Sequence, residues 1–157
     1  MKQNAAITVK NVTMKFKGQV VLNDINIDFE MGKIYGIIGR NGSGKTVLLK
    51  CICGLLLPTA GTVTVNDKKA VGKYSLGMRQ RLGIAQALME NPDIIILDEP
   101  MNALDNVGVD EIRQVILKMR DRGKLIIIAS HIREDIELLC DNVYEMNAGQ
   151  IKDRTIA

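Results

Sequence analysis

The sequence predicts an α/β fold, a mostly parallel sheet flanked by helices and preceded by an antiparallel β segment. Three observations predict it. The runs Ile34–Ile38, Ile94–Leu97 and Leu125–Ala129 are short and unbroken in apolar character, as strands covered on both faces are. Stretches with helical spacing alternate with these runs, which is the pattern of parallel strands joined by crossover helices. Residues 6–16, and again those after Asn23-Asp24, instead alternate apolar and polar positions, the mark of half-buried strands.

In chain order, Ile7, Val9, Val12, Met14 and Phe16 mark the first strand, and Lys17-Gly18-Gln19 turns the chain. Val20-Val21-Leu22, then Ile25, Ile27 and Phe29, continue as a second strand region. Met31-Gly32 turns into Ile34–Ile38, so the opening reads as an antiparallel meander. Val47–Ile52 reads as a helix that stops before Pro58, and Pro58–Gly61 turns into a strand over Thr62–Val65. Asn66-Asp67 turns again. Met78, Leu82, Ala85, Leu88 and Met89 share one helical face, ended by Asn91-Pro92. Asp110–Arg122 is an amphipathic helix closed by Gly123, and Ile132–Cys140 is a further helix. Asn142–Asn147 and Gln150-Ile151 form a hairpin around Ala148-Gly149.

The 157 residues suffice for one domain with a real core. A net charge of +3 is mildly basic and lacks the clustered basic stripe of a nucleic-acid binder, so no nucleic-acid partner is expected. Aromatics are 3 % of residues with no Trp, too few for a base-stacking platform. Met1-Lys2-Gln3-Asn4 runs into a strand pattern, so no signal peptide is expected, and no apolar run reaches membrane-spanning length. Cys51, Cys53 and Cys140 are odd in number and suit a reducing compartment. On a helix Cys51 and Cys53 point about 200° apart, which favours core packing over a metal site. His131 is the only histidine, so multi-histidine metal sites are excluded.

The chemistry begins at Gly39-Arg40-Asn41-Gly42-Ser43-Gly44-Lys45-Thr46, which fits the phosphate-wrapping pattern G-x-x-x-x-G-K-[ST] between a strand and a helix. Glycines let backbone N–H groups turn inward as an anion nest, and the positive end of the helix dipole points to the same place. Lys45 is expected on the β- and γ-phosphates and the Thr46 hydroxyl on Mg²⁺. Further on, Ile94–Leu97 ends in Asp98-Glu99-Pro100. Asp98 suits Mg²⁺ and Glu99 suits the general base that polarises an attacking water. A bound cation explains why two carboxylates stand side by side.

With these residues in view, the chain resembles the ATP-binding subunit of an ABC transporter over nearly its whole length. Tyr74-Ser75-Leu76-Gly77-Met78-Arg79-Gln80-Arg81-Leu82 is similar to the family signature, usually read Leu-Ser-Gly-Gly-Gln, with Ser75 and Gly77 kept. Asn102-Ala103-Leu104-Asp105 resembles the loop after the second motif, and Ser130-His131 resembles the switch histidine. The resemblance implies a P-loop NTPase core and a transport ATPase using ATP and Mg²⁺. It implies a second ATP-binding subunit, paired head-to-tail so that Ser75 and Gly77 of one copy face the nucleotide of the other. It places Phe16 on adenine, His131 on the γ-phosphate and Asp105 across the dimer. A transmembrane permease is the implied partner, at the inner face of the cell membrane. The signature variant resembles the subfamily exporting antibiotic and bacteriocin-like peptides.

One departure stands out. The family places dozens of residues, including a glutamine-bearing loop and most of a helical lobe, between the strand like Thr62–Val65 and the signature. Here only Asn66–Lys73 lies there, so the helical lobe is largely missing. Either the stretch is deleted, or two segments of a longer protein are joined across an absent loop near Lys69–Ala70; the intact flanks favour the second. The alternative function is a nucleotide-binding module that binds ATP without coupled transport.

Overall fold

The computed structural model describes residues 5–65, 71–72 and 91–156. The expected turn at Asn66-Asp67, the signature residues Ser75 and Gly77 and the helix over Met78–Met89 lie outside the described residues. Strands β1 (Ile7–Phe16) and β2 (Gln19–Phe29) form an antiparallel hairpin. Its two turn residues, Lys17 and Gly18, both have positive φ, +47° and +81°, which matches the twist of the flanking strands. β4 (Ala60–Val65) pairs antiparallel with the other edge of β1, giving a three-stranded sheet of order β2-β1-β4. The expected meander therefore stops after two strands: β3 (Ile34–Ile38) leaves for a second sheet. Every residue of β3 is buried, and such a strand needs cover on both faces.

That second sheet has the order β5-β6-β7-β3-β8-β9, built from β5 (Val71–Gly72), β6 (Ile94–Asp98), β7 (Leu125–Ser130), β8 (Asn142–Asn147) and β9 (Gln150–Ile156). All neighbours are parallel except β9, which pairs antiparallel with β8. Alternate residues sort into two separate cores. Ile94, Ile96, Leu125, Ile127, Tyr35 and Ile37 join the core shared with the antiparallel sheet and α1 (Lys45–Ile52). Ile95, Leu97, Ile126, Ile128, Ile34 and Ile38 join the core under α2 (Asn106–Asp121) and α3 (Arg133–Glu137). Cys51 and Cys53 are both buried and unbridged, as core packing requires.

Two helix limits differ from the sequence expectation. α2 starts at Asn106 rather than Asp110, because the Asp105 side chain accepts the Gly108 amide at 2.8 Å and caps the helix. α3 ends at Glu137 rather than Cys140. The Asp141 carboxylate accepts the Ile34 amide at 2.8 Å, and its own amide donates to the Ile34 carbonyl at 2.8 Å, drawing the chain into β8. Among the described residues no helix is long and apolar enough to cross a membrane.

Candidate functional site

Parallel strands bring their C-terminal ends to one edge, and ligands of open α/β sheets bind there. The register puts Asp98 of β6 level with Ala129 of β7, and Ser130 of β7 level with Ile38 of β3. The phosphate loop follows β3 directly, so Gly39–Gly44, Asp98-Glu99 and Ser130-His131 leave the sheet side by side. α1 begins at Lys45, two residues before the expected Val47. Its N-cap is Gly44, at φ +102°, with no side chain to accept the first-turn amides; those donors are open to an anion. A Cβ on Gly44 would stand 3.0 Å from Leu22 Cδ2 and 3.1 Å from the Val21 carbonyl oxygen, so the loop packs on β2 only because it is glycine there. The Ser43 hydroxyl is buried with no hydrogen-bond partner among the described residues, a polar atom left over inside the loop.

The Lys45 side chain is buried and its Nζ donates to the carbonyls of Gly39 (2.6 Å) and Arg40 (3.1 Å). Burial pushes the ammonium pKa down, while Glu99 and Asp98 pull it back up. A buried cation held by carbonyl dipoles next to two carboxylates is poised to exchange those carbonyls for phosphate oxygens.

Thr46 Oγ1 donates to Asp98 Oδ2 at 2.8 Å, joining α1 to the end of β6 across the end of β7. Burial raises the Asp98 pKa; the Thr46 hydrogen bond opposes that, and the neighbouring Glu99 charge adds to it. This donor set fits Mg²⁺. It offers a hydroxyl and a carboxylate, both hard oxygens, and Mg²⁺ is held by one or two carboxylates with phosphates and waters completing its shell. A divalent charge there would also relieve the strain on Asp98 ionisation. No group of three or more His, Cys, Asp or Glu side chains able to hold a metal by themselves occurs among the described residues.

Glu99 follows immediately. Its amide donates to the Ala129 carbonyl at 2.8 Å, and its backbone is left-handed at φ +51°. Its Oε1 lies 2.9 Å from His131 Nδ1. The two side chains are 24 % and 39 % exposed, so the pair is open to a reacting water yet held in place.

A cavity of about 270 Å³ collects these groups, lined by Val21, Asn41, Gly42, Gly44, Lys45, Thr46, Val47, Asp98 and Glu99. Gly39 and Ser43 stand behind it as loop framework, and His131 reaches it through Glu99. Phe16 does not line the cavity; it is 42 % exposed at the end of β1. Val21 is a lining residue that the sequence did not point to. Met14 pairs with Leu22 while Lys15 pairs with Val20, so Val21 is the extra residue of a bulge, which re-aims its side chain. Nothing in Val20-Val21-Leu22 marks a bulge.

The family model described as ABC transporter matches residues 22–71 and 67–102. An ABC transporter ATP-binding protein of Bacillus subtilis (strain 168), YybJ, is 37 % identical over 206 residues, spanning 93 % of this chain and 94 % of that protein. The bacitracin transport ATP-binding protein BcrA of Enterococcus faecalis is 31 % identical, spanning 92 % of this chain and 67 % of BcrA. The lantibiotic transport ATP-binding protein SrtF of Streptococcus pyogenes is 28 % identical, spanning 92 % and 88 %. The crystal structure of a nucleotide-free ATP-binding cassette from an ABC transporter superposes with a TM-score of 0.85, covering 98 % of this chain and 92 % of the other at 18 % identity, which shows the fold alone. The 206-residue alignment to YybJ is longer than this chain of 157 residues, so part of that relative has no counterpart here. The chain belongs to the family of ABC transporter ATP-binding subunits.

Proposed function

We propose that this chain binds and hydrolyses ATP with Mg²⁺ and thereby powers a separate membrane permease that exports an antibiotic or bacteriocin-like peptide. The observation that carries the reading is the meeting of Lys45, Thr46, Asp98 and Glu99 on one cavity. Its volume of about 270 Å³ is small for a whole nucleotide and suits the phosphate end. The loop amides orient the phosphates, with Gly39, Asn41, Gly42, Ser43 and Gly44 supplying the backbone and Lys45 turning from its carbonyls to the β- and γ-oxygens. Thr46 and Asp98 would hold Mg²⁺, which neutralises charge on those oxygens when bound. Glu99 takes a proton from water as the water oxygen bonds to the γ-phosphorus and the bond to the β–γ bridging oxygen breaks, releasing ADP. His131 fixes the Glu99 carboxylate. Phe16 supports the adenine ring, and Ser75 and Gly77 of a second copy complete the site in a head-to-tail dimer at the inner face of the cell membrane. The substrate reading is supported by the names of two relatives, transport proteins for bacitracin and for a lantibiotic.

Residues 1–157 form one ABC-type ATP-binding domain with a deletion or gap near 66–73. Two observations support that: the family match comes in two pieces, 22–71 and 67–102, that overlap at 67–71, and the relatives' alignments exceed the chain length. The same shortness favours a second reading, a module that binds ATP without coupled transport. The experiment is an ATPase assay on purified protein together with Lys45→Ala, plus Glu99→Gln incubated with ATP and sized in solution. Hydrolysis that vanishes with Lys45→Ala, an ATP-stabilised dimer of Glu99→Gln and a copurifying polytopic membrane protein support transport. ATP binding with none of these supports the module.

A further inference from the structure

We infer that Gly149 is a positioning residue for nucleotide binding: from behind the phosphate loop, it fixes the peptide plane that aims the Gly44 amide. The inference rests on the phosphate-loop reading above. Ala148 and Gly149 are the two central residues of the β8–β9 turn, with Asn147 paired to Gln150 across it. Both have positive φ, +48° and +76°, the geometry of the two-residue turns that suit twisted hairpins. The turn does more than reverse the chain. The Gly149 N–H donates to the Ser43 carbonyl at 2.9 Å, and the Gly149 carbonyl accepts the Asn23 N–H at 2.8 Å. One residue thus ties the phosphate loop to β2, the strand that contributes Val21 to the cavity.

The Ser43 carbonyl and the Gly44 N–H belong to one peptide unit. That unit is planar and trans, so its C=O and N–H point in opposite directions. A carbonyl held by the hairpin turns the Gly44 N–H away from the hairpin, and Gly44 lines the cavity. An anion nest depends on N–H groups converging before the anion arrives. The other side of Ser43 is fixed as well, because its own N–H donates to the Arg40 carbonyl at 3.1 Å. Only glycine fits at the clamp. A Cβ on Gly149 would lie 2.1 Å from the Val21 carbonyl oxygen and 2.8 Å from the Val21 carbonyl carbon, both backbone atoms that cannot rotate aside. Strand β8 of the same hairpin also meets the start of the loop: a Cβ on Gly39 would lie 2.5 Å from the Met146 carbonyl oxygen.

The test compares ATP binding in magnesium buffer for wild type, Gly149→Ala and Gly123→Ala. Gly123 has φ +83° with open space around it, so alanine there carries a similar backbone penalty without the clash. The expected result is a dissociation constant at least about tenfold higher for Gly149→Ala and unchanged for Gly123→Ala. Amide hydrogen exchange on the wild type gives a second measure that does not depend on the variant folding. Magnesium ATP should slow exchange at Gly149 and Asn23 along with Gly44. Wild-type affinity in Gly149→Ala, or Gly149 exchange indifferent to ATP, overturns the inference and leaves the phosphate-loop reading standing. A wild type that does not bind ATP overturns both.

Discussion

His131 Nδ1 lies 2.9 Å from Glu99 Oε1, joining the residue just past β7 to the residue just past β6. A carboxylate oxygen and a ring nitrogen at this distance can share one hydrogen bond, which leaves Nε2 for other partners. Glu99 reaches this position through a left-handed backbone at φ +51°, an uncommon state for a residue other than glycine. Glutamine at 99 can still accept the Nδ1 proton through its amide oxygen but cannot take a proton from water. Glu99→Gln should therefore bind ATP as the wild type does while steady-state hydrolysis falls by about 10²- to 10⁴-fold. Equal turnover would remove Glu99 from the role of base.

Asp98 carries a pH prediction. Burial raises its pKa in the folded chain, so the native state holds the proton more tightly than the unfolded state. Stability from this group is complete below the unfolded carboxylate pKa and is lost as pH rises through the folded value. Asp98→Asn keeps an oxygen to accept from Thr46 and never ionises. Without nucleotide, the variant should melt higher than wild type at neutral pH, and the gap should close as pH falls into the carboxylate range. Thermal melts across that range check it. The same variant should lose the magnesium dependence of ATP binding, because the carboxylate that would face the cation is gone.

Much of this was legible in the sequence, for local reasons. Asp98 and Glu99 follow a run of four aliphatic residues, and the phosphate loop has fixed spacing, so both could be placed without the fold. Two-sided burial was legible too, since the unbroken runs of β6 and β7 feed two cores by alternation. Features set by distant contacts were not. The start of α2 is a local exception: the Asp105 side chain caps the Gly108 amide three residues on, although Val107, Gly108 and Val109 are poor helix formers. The Val21 bulge and the Gly149–Ser43 bond exist only once β1, β2 and the last hairpin have come together.

Ala148 provides a stability test of the last hairpin. It sits at φ +48°, where an L-residue with a Cβ is disfavoured by about 1–2 kcal/mol. Glycine relieves that strain but adds freedom to the unfolded chain, costing about 0.5–1 kcal/mol. Ala148→Gly should be net stabilising by up to about 1 kcal/mol, a rise in melting temperature of roughly 2–4 °C for a domain of this size. The Gly149 bonds to Ser43 and Asn23 involve backbone atoms only, so ATP affinity should not change.

Phe16 separates adenine recognition from phosphate recognition. It is a large hydrophobic side chain left 42 % exposed at the end of β1, next to the Lys17-Gly18 turn and outside the lining of the phosphate cavity. An exposed ring costs little to remove, so Phe16→Ala should leave the melting temperature nearly unchanged. Stacking of a base on an aromatic ring contributes about 1–3 kcal/mol by alanine substitution. ATP should therefore bind about 5- to 150-fold more weakly to Phe16→Ala. Inorganic tripolyphosphate has no base to stack, so its affinity for the loop should be the same in both proteins. Parallel titrations of the two ligands check this: a loss common to both would mean that Phe16 shapes the phosphate loop, and no loss with ATP would place the adenine elsewhere.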